Sequence, residues 1–296
     1  MAQAQLIHGI IAYPITPFDD VGIDTERLAS LVEAMVDAGV HAIAPLGSTG
    51  ESAYLSFEEW KTVVDTTVAA VDGRIPTVVG SSDLTTAGAV ARAEYAQEAG
   101  ATAVMVIPVS YWPLSDREII QHFNSVSDSI SIPIIAYNNP ATSGIDMKPT
   151  LLHHMFETIA NVQMVKESTG DIQRMLDLTQ LSGGELPFYN GSNPLVLEAL
   201  MAGASGWCTA APCLRPEPTI ALYDAVGAGD IDRAKEIYEE LLPLLRFIVS
   251  RGLPTAVKAG LEILGEPAGD PRLPLLPLSP EDHAELESIL AAVATA

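Results

Sequence analysis

The apolar run from Val162 to Val165 ends in Lys166, which is the residue of this chain best suited to covalent chemistry. Side chains alternate along a strand, so Lys166 should share a face with Met164 and Val162. If that face lines an interior, the amine lies at its rim, where partial desolvation favours the neutral form. A neutral amine can attack a carbonyl carbon. The alternative is a solvated lysine just past a strand.

A loop with two glycines around two hydroxyl residues follows another strand-like run, in the sequence Gly47-Ser48-Thr49-Gly50-Glu51. Glycines let a ligand approach the backbone closely, and consecutive N–H groups can hold a carboxylate. The alternative is a tight turn capped by Ser48.

Aromatic residues lie at or just after the ends of two further strand-like runs. Tyr137 lies near the end of the run from Ile132 to Asn138, where its phenol could relay protons to an imine or carbinolamine. The alternative is a strand-end aromatic with its hydroxyl in water. Tyr111 and Trp112 form an aromatic loop that either covers a site or fills a contact between subunits.

Composition limits the partners of the chain. Its 38 acidic and 15 basic residues give a net charge of -23, which repels polyanions, so we expect neither nucleic acid nor anionic membranes as partners. No apolar run approaches the length needed to span a bilayer. The start, Met1 to Gln5, lacks the pattern of a secretory signal, so we expect a cytoplasmic protein.

Four residues separate Cys208 from Cys213, a spacing typical of neither zinc sites nor disulfides, so we expect reduced thiols with Cys208 buried in a strand.

Eight strand-like runs alternate with segments of helical periodicity. The predicted strands are Gly9 to Pro14, Val40 to Pro45, Ile75 to Gly80, Ala101 to Pro108, Ile132 to Asn138, Val162 to Lys166, Leu186 to Asn190 and Ser205 to Thr209. The predicted helices include Asp24 to Ala38, Phe57 to Val71, Thr86 to Ala99 and Asp116 to Ile130. Side-chain caps at Asp24, Ser56 and Ser115 and the glycines Gly39, Gly100 and Gly203 mark helix starts and ends.

This alternation predicts parallel strands joined by right-handed crossovers. No Gly-x-Gly-x-x-Gly follows the first strand, and eight units favour a (β/α)8 TIM barrel over a doubly wound sheet. Helical patterns at 231–249, 254–264 and 280–293 predict a C-terminal helical extension. We therefore predict a barrel over residues 1–229 that carries the active site, and a helical domain over 230–296 packed on it. In such barrels the active site lies at the C-terminal ends of the strands.

Three motifs in order resemble the dihydrodipicolinate synthase / N-acetylneuraminate lyase family: Gly47-Ser48-Thr49-Gly50-Glu51, Tyr137-Asn138-x-Pro140 and Lys166-Glu167-Ser168-Thr169-Gly170. The resemblance runs from about Gly9 through the C-terminal helices. It implies class I aldolase chemistry without a metal or cofactor, and usually a homotetramer built as a dimer of dimers.

The resemblance also implies roles for individual residues. Lys166 would form a Schiff base with a 2-oxo acid, and Tyr137 would relay protons. Ser48 and Thr49, in the loop that Gly47 begins, would hold the substrate carboxylate, and Thr49 would also link to Tyr137. Tyr111 would reach into the site of a neighbouring subunit. Cys208 would present its backbone carbonyl to the site, and Gly191 would end the seventh strand beside it.

Two departures from the family pattern bear on the substrate. Thr142 stands where dihydrodipicolinate synthases carry an arginine for the carboxylate of the second substrate, and Gly191-Ser192-Asn193-Pro194 replaces the acidic residues with which sialic acid lyases bind a sugar tail. We therefore expect pyruvate or another short 2-oxo acid that undergoes dehydration, deamination or retro-aldol cleavage. The alternatives are a 4-hydroxy-tetrahydrodipicolinate synthase proper and an aldolase similar to N-acetylneuraminate lyase.

Other functional classes fit the sequence less well. A metal-dependent aldolase needs converging ligands, and the six histidines are scattered. A phosphate-binding isomerase could use residues 191–193 at a helix start, although a helix cap explains them better. A non-catalytic ligand-binding barrel would retain the fold without needing Lys166 and Tyr137, and both are present.

Overall fold

The computed structural model describes residues 7–293. Eight parallel strands, β1 to β8, occur within this range. They are Gly9–Ala12, Ala42–Ile43, Val78–Gly80, Ala103–Val106, Ile134–Asn138, Val162–Glu167, Phe188–Asn190 and Gly206–Thr209. Each lies at a predicted strand, so the eight strand predictions are confirmed, although most of the strands are shorter than predicted.

Helices follow the strands along the chain. Helices α1 to α12 are Thr25–Asp37, Phe57–Val71, Thr86–Ala99, Asp116–Ser129, Pro140–Ser143, Pro149–Thr158, Ile172–Ser182, Val196–Met201, Pro216–Gly227, Ile231–Arg251, Leu253–Ile263 and Pro280–Val293. The predicted caps are present: the Asp24 carboxylate accepts from the backbone of Arg27, and Ser56 forms a capping box with Glu59. Gly100, at the end of α3, has φ 101°, a backbone conformation that favours glycine.

The parallel strands belong to one sheet with the order β2-β1-β8-β7-β6-β5-β4-β3. Successive strands are neighbours from β3 to β8, as right-handed β-helix-β units require. This arrangement confirms the predicted (β/α)8 barrel class with C-terminal helices. A short antiparallel hairpin, Phe18–Asp19 with Gly22–Ile23, was not predicted from the sequence.

The described residues group into two compact units. The first consists of Pro76–Cys208 with the described residues up to Gly9, and it contains β3 to β7 with most of β8. The second consists of Ile10–Ile75 with the described residues from Thr209 onward, and it contains β2, most of β1 and the C-terminal helices α9 to α12. The predicted division at residues 229 and 230 remains a prediction.

In the first unit, the strands bury nearly every side chain. Val104, Val106, Ile134 and Ile135 are fully buried. Strands of a parallel sheet covered by helices are apolar on both faces, and each fully buried side chain of this size contributes about 1.5–3 kcal/mol. A polar residue on these buried strands is therefore unusual.

None of the helices within residues 7–293 is long and apolar enough to cross a bilayer. The expectation that the chain has no secretory signal concerns Met1 to Gln5, which lie outside the described residues.

Candidate active site

Lys166 and Tyr137 lie opposite each other on neighbouring strands of the first unit. The register of β5 and β6 pairs Tyr137 with Lys166, and the Lys166 Nζ atom lies 4.0 Å from the centroid of the Tyr137 ring. Both residues are buried, at 6% and 4% exposure. A buried lysine amine at the end of a strand is a candidate nucleophile toward a carbonyl carbon.

Met164 and Val162, which alternation predicted on the face of Lys166, are buried. The Tyr189 hydroxyl of β7 lies 3.1 Å from the Met164 sulfur and donates to the backbone carbonyl of Ile7. Burial raises the pKa of the Tyr189 phenol, and proximity to Cys208 adds to the effect. The Tyr189 phenol therefore stays protonated and serves as a structural hydrogen-bond donor.

The Tyr137 hydroxyl accepts a hydrogen bond of 2.9 Å from the side-chain amide of Asn139. Because this bond occupies an oxygen lone pair, the phenolic proton remains available for a different acceptor. This is the arrangement that a proton relay needs. Asn139 was not among the predicted site residues.

A network around a buried carboxylate, the Glu167 cluster, consists of Asn138, Asp146, Glu167 and Arg174. Asn138 and Glu167 are fully buried, whereas the side chains of Arg174 and Asp146 are 12% and 29% exposed. The Glu167 carboxylate accepts from Asn138 at 3.0 Å, from the backbone N–H of Thr169 at 2.7 Å and from Arg174 at 3.3 Å. Arg174 also contacts Asp146 at 2.8 Å. The cluster holds the ends of β5 and β6 together immediately after Tyr137 and Lys166.

The Asp146 carboxylate ionises more readily than usual. Partial burial opposes its ionisation, but hydrogen bonds from Lys148 and Arg174 and the positive charges of both outweigh it and lower the pKa of Asp146. Asp146 therefore stays charged in the folded protein well into the acidic range.

Ser168 and Gly191 lie close to the end of the Lys166 side chain, at the carbon that carries the amine. A Cβ atom at Gly191 would lie 1.8 Å from the Ser168 hydroxyl oxygen and 2.8 Å from Cε of Lys166, so this position accepts only glycine without rearrangement. Within the described residues, the Ser168 hydroxyl is buried and has no hydrogen-bond partner. Its position beside Lys166 makes Ser168 a candidate ligand group that was not among the predicted site residues. The signals in the sequence were its place two residues after the lysine and its membership of the Lys166 to Gly170 motif.

Three other predicted site residues of the first unit differ in exposure. Cys208 is a free thiol, buried in β8 as predicted. Thr142 lies exposed in the short helix α5, and Tyr111 is 98% exposed. The structure thus brings Lys166, Tyr137 and Gly191 together, whereas Thr142 and Tyr111 point to solvent.

The predicted carboxylate loop, Gly47 to Glu51, belongs to the second unit. Thr49 is buried and Ser48 is exposed. The hydroxyl of Thr16 donates to the Gly50 carbonyl at 2.7 Å, and Gly50 packs so closely that a Cβ there would lie 3.0 Å from the Leu46 nitrogen. The loop is tightly folded, with one hydroxyl inside and one facing water.

Leu46, which precedes this loop, and Glu51, its last residue, have left-handed backbone conformations, with φ of 62° and 56°. Such conformations cost of order 1–3 kcal/mol for residues other than glycine and persist only where surrounding contacts enforce them. The loop is therefore held in a strained shape. Among residues 7–293, no cluster of three or more histidine, cysteine or carboxylate side chains is arranged to hold a metal ion.

Comparison with known proteins gives consistent results. A model described as the dihydrodipicolinate synthetase family matches residues 6–293 of this chain. A 4-hydroxy-tetrahydrodipicolinate synthase of Methanoculleus marisnigri is 34% identical over 96% of this chain and 99% of the relative.

Solved structures also resemble this one. A crystal structure of a proposed dihydrodipicolinate synthetase from Pseudomonas aeruginosa has a TM-score of 0.95 and 53% identity over 97% of this chain and 99% of its own. The 4-hydroxy-tetrahydrodipicolinate synthase of Methylacidiphilum fumariolicum has a TM-score of 0.95 and 30% identity over 98% of this chain and 96% of its own.

Proposed function

Because the chain belongs to the dihydrodipicolinate synthetase family, whose enzymes are lyases of the class I aldolase type, we propose that it acts on pyruvate or another short 2-oxo acid through a Schiff base on Lys166. Membership of the family confirms the resemblance inferred from the three motifs. The observation that carries the proposal is the buried amine of Lys166, paired in register with Tyr137 and 4.0 Å from its ring.

The reaction begins when the neutral amine of Lys166 attacks the C2 carbonyl carbon of the 2-oxo acid. A proton reaches the carbonyl oxygen, the resulting carbinolamine loses that oxygen as water, and a protonated iminium remains. The iminium withdraws electrons, so that C3 can lose a proton or a bond between C3 and C4 can break. Tyr137 serves as the proton relay, with its own proton left available by the hydrogen bond from Asn139.

The remaining site residues take supporting roles in this proposal. Ser48 and Thr49, on the loop that begins at Gly47, hold the substrate carboxylate. The backbone carbonyl of Cys208 faces the substrate. Gly191 leaves room for the Lys166 side chain, and the unpartnered hydroxyl of Ser168 is available to a polar group of the substrate.

Thr142 favours a small substrate. It is exposed and carries no charge, so it cannot pair with a second carboxylate as an arginine would. We therefore propose dehydration, deamination or retro-aldol cleavage of a short 2-oxo acid. The second candidate is condensation by a 4-hydroxy-tetrahydrodipicolinate synthase, which the names of relatives such as the one from Methanoculleus marisnigri favour.

Assembly and location complete the proposal. Tyr111 and Trp112 are 98% and 76% exposed, and a neighbouring subunit would cover them. We propose a homotetramer built as a dimer of dimers, in which Tyr111 reaches the neighbouring site, in the cytoplasm. Gel filtration at several protein concentrations tests the assembly.

Trapping with borohydride tests the chemistry. Incubation with pyruvate and then with borohydride should add the reduced adduct to the intact mass, and a panel of short 2-oxo acids should rank the substrates. Lys166→Ala should abolish the adduct and the turnover while the fold is kept. Lys235→Ala, which removes an exposed lysine of α10, serves as the control and should trap as the wild type does. An adduct of full size in Lys166→Ala would overturn the proposal.

A further inference from the structure

The glutamate that ends the Gly47 to Glu51 loop has no place in the chemistry above, yet its side chain is fully buried. Its Oε2 atom accepts a hydrogen bond of 2.6 Å from the backbone N–H of Arg272, a residue 221 positions further along the chain. A buried carboxylate is costly unless it is paired. Partners of this carboxylate therefore contribute to holding the loop in place.

The charged partner of Glu51 is Lys258 of α11. The Lys258 Nζ atom lies 2.8 Å from Oε1 of Glu51, and this side chain is 3% exposed. The same ammonium donates to the backbone carbonyl of Asp270 at 3.0 Å. Burial lowers the pKa of Lys258, while the Glu51 carboxylate opposes this effect. The ion pair thus joins the loop to helix α11 and to the segment that follows it.

Phe18 and Arg272 complete this arrangement, which we name the Glu51 cluster: Phe18, Glu51, Lys258 and Arg272. Lys258 and Arg272 lie 4.1 Å and 4.5 Å from the centroid of the Phe18 ring. Arg272 also donates to the Tyr54 carbonyl at 3.3 Å and pairs with Glu59 at 2.7 Å. The C-terminal segment therefore contacts the chain directly after the loop at several points.

We propose that Lys258 and Arg272 are positioning residues, which hold the Gly47 to Glu51 loop in its ligand-binding shape by fixing the buried carboxylate of Glu51. Glu51 has a left-handed backbone with φ of 56°, a conformation that needs enforcement from outside the loop. The Glu51 cluster supplies that enforcement within the second unit. The inference rests on the proposed function, in which this loop holds the substrate carboxylate.

This role gives the C-terminal helices a function in the enzyme. Loss of the lysine charge should free the Glu51 side chain, let the strained backbone relax and misplace the N–H groups and hydroxyls of the loop. Binding of the 2-oxo acid should then weaken, whereas the reaction of bound substrate with Lys166 should proceed as before. A residue that only stabilised the fold would not separate these two quantities.

The test compares Lys258→Met with Arg251→Met in the full-length protein. Arg251 lies on α10 and pairs with Asp282 at 2.7 Å, so its replacement removes an ion pair of the same C-terminal region without touching the loop. For each variant, borohydride trapping is measured over a range of pyruvate concentrations. Hydrogen–deuterium exchange of the free protein is followed in peptides that cover residues 46–52.

Lys258→Met should raise the half-saturating pyruvate concentration roughly tenfold, because small misplacements of binding groups have large effects. Its trapping rate at saturation should stay within about twofold of the wild type. The loop peptides should exchange faster, and Arg251→Met should match the wild type in all three respects. An unchanged half-saturating concentration together with unchanged loop exchange in Lys258→Met would overturn the inference.

Two further arms keep the outcomes distinct. If Lys258→Met does not fold, Glu51→Gln takes its place, because it retains an acceptor for the Arg272 N–H and removes the charge. The same shifts are expected, and unchanged binding together with unchanged loop exchange would again overturn the inference.

If the wild type traps no 2-oxo acid, the proposed function has failed, and the inference fails with it. Loop exchange would then still report whether the Glu51 cluster enforces the loop shape.

Discussion

Two buried glutamates follow the two segments proposed to bind substrate, and they are held in different ways. Glu167 follows Lys166, and its arginine, Arg174, is seven residues along the chain. Glu51 ends the carboxylate loop, and the backbone that binds it, at Arg272, is 221 residues away. The Glu167 cluster is thus built largely from one stretch of chain, whereas the Glu51 cluster forms only when the C-terminal segment has folded.

The two clusters differ in the sequence distance between a binding segment and the residues that hold it in place. The segment that carries the nucleophile is fixed by residues close to it in the sequence, and such contacts close short loops at low entropic cost. The segment that binds the substrate depends on contacts between distant parts of the chain. We therefore expect damage to either cluster to lower the free energy of unfolding, and damage to the Glu51 cluster to weaken substrate binding as well.

The largest effect is expected from Arg174→Met, which leaves the carboxylates of Glu167 and Asp146 without their arginine. Removal of one partner from a buried ion pair typically costs about 3–5 kcal/mol. The free energy of unfolding, from urea titration, should fall by this amount. A loss below about 1 kcal/mol would show that Asn138 and the Thr169 backbone satisfy Glu167 without Arg174. The proposed difference between the two clusters would then be contradicted.

Two glycine substitutions should separate an effect on stability from an effect on the nucleophile site. In Gly269→Ala, the new Cβ would lie 2.1 Å from the backbone oxygen of Phe18, and the φ of 72° is also unfavourable for alanine, so we expect about 1–3 kcal/mol of destabilisation. In Gly191→Ala, the new Cβ meets the side chains of Ser168 and Lys166, which can shift. Here stability should change less, and the rate of borohydride trapping should fall about 10²-fold.

Urea unfolding and single-turnover trapping on both glycine variants provide the measurement. If Gly191→Ala lost more stability than Gly269→Ala and kept its trapping rate, the assignment of Gly191 to the nucleophile site would be wrong.

The smallest effect concerns the pH dependence of stability, and it involves Asp146 of the Glu167 cluster and Glu59, which pairs with Arg272 of the Glu51 cluster. Burial opposes ionisation of Glu59, but hydrogen bonds from Ser56 and Arg272 outweigh it and lower the pKa, as Lys148 and Arg174 do for Asp146. A lowered folded-state pKa means that the stabilisation is fully present above the ordinary carboxyl pKa of about 4 and is lost as the pH falls through the lowered value.

Urea midpoints between pH 6 and pH 2.5 should therefore decrease toward the acidic end. Asp146→Asn and Glu59→Gln should each make this decrease shallower, and equal slopes in the wild type and both variants would contradict the assignment.

Much of the fold could be predicted from the sequence, because strand and helix patterns are local. The helices Phe57–Val71 and Thr86–Ala99 have the predicted bounds, and all eight strands were predicted. The hairpin at Phe18–Asp19 was missed because its strands have two residues each, too few for a period to show.

The candidate site was predictable in part. Lys166 and Tyr137 could be proposed because each ends an apolar strand-like run, and the structure places them in register. Ser168 and Asn139 were missed, since a short polar residue after a strand is common and nothing local marks it as buried. The roles of Lys166 and Tyr137 remain predictions, as do those of the other predicted site residues: Gly47, Ser48, Thr49, Tyr111, Thr142, Gly191 and Cys208.

The sequence by itself determined the alternation of strands and helices, the residues at the strand ends and the family to which they point, because periodicity, capping and motif spacing are properties of neighbouring residues. Only the tertiary structure decided that Glu51 is buried and that Lys258 and Arg272 bind it. The physical reason is that a charge reveals its partner only when folding brings distant segments together, and no pattern along the chain records which distant cation a buried carboxylate will meet.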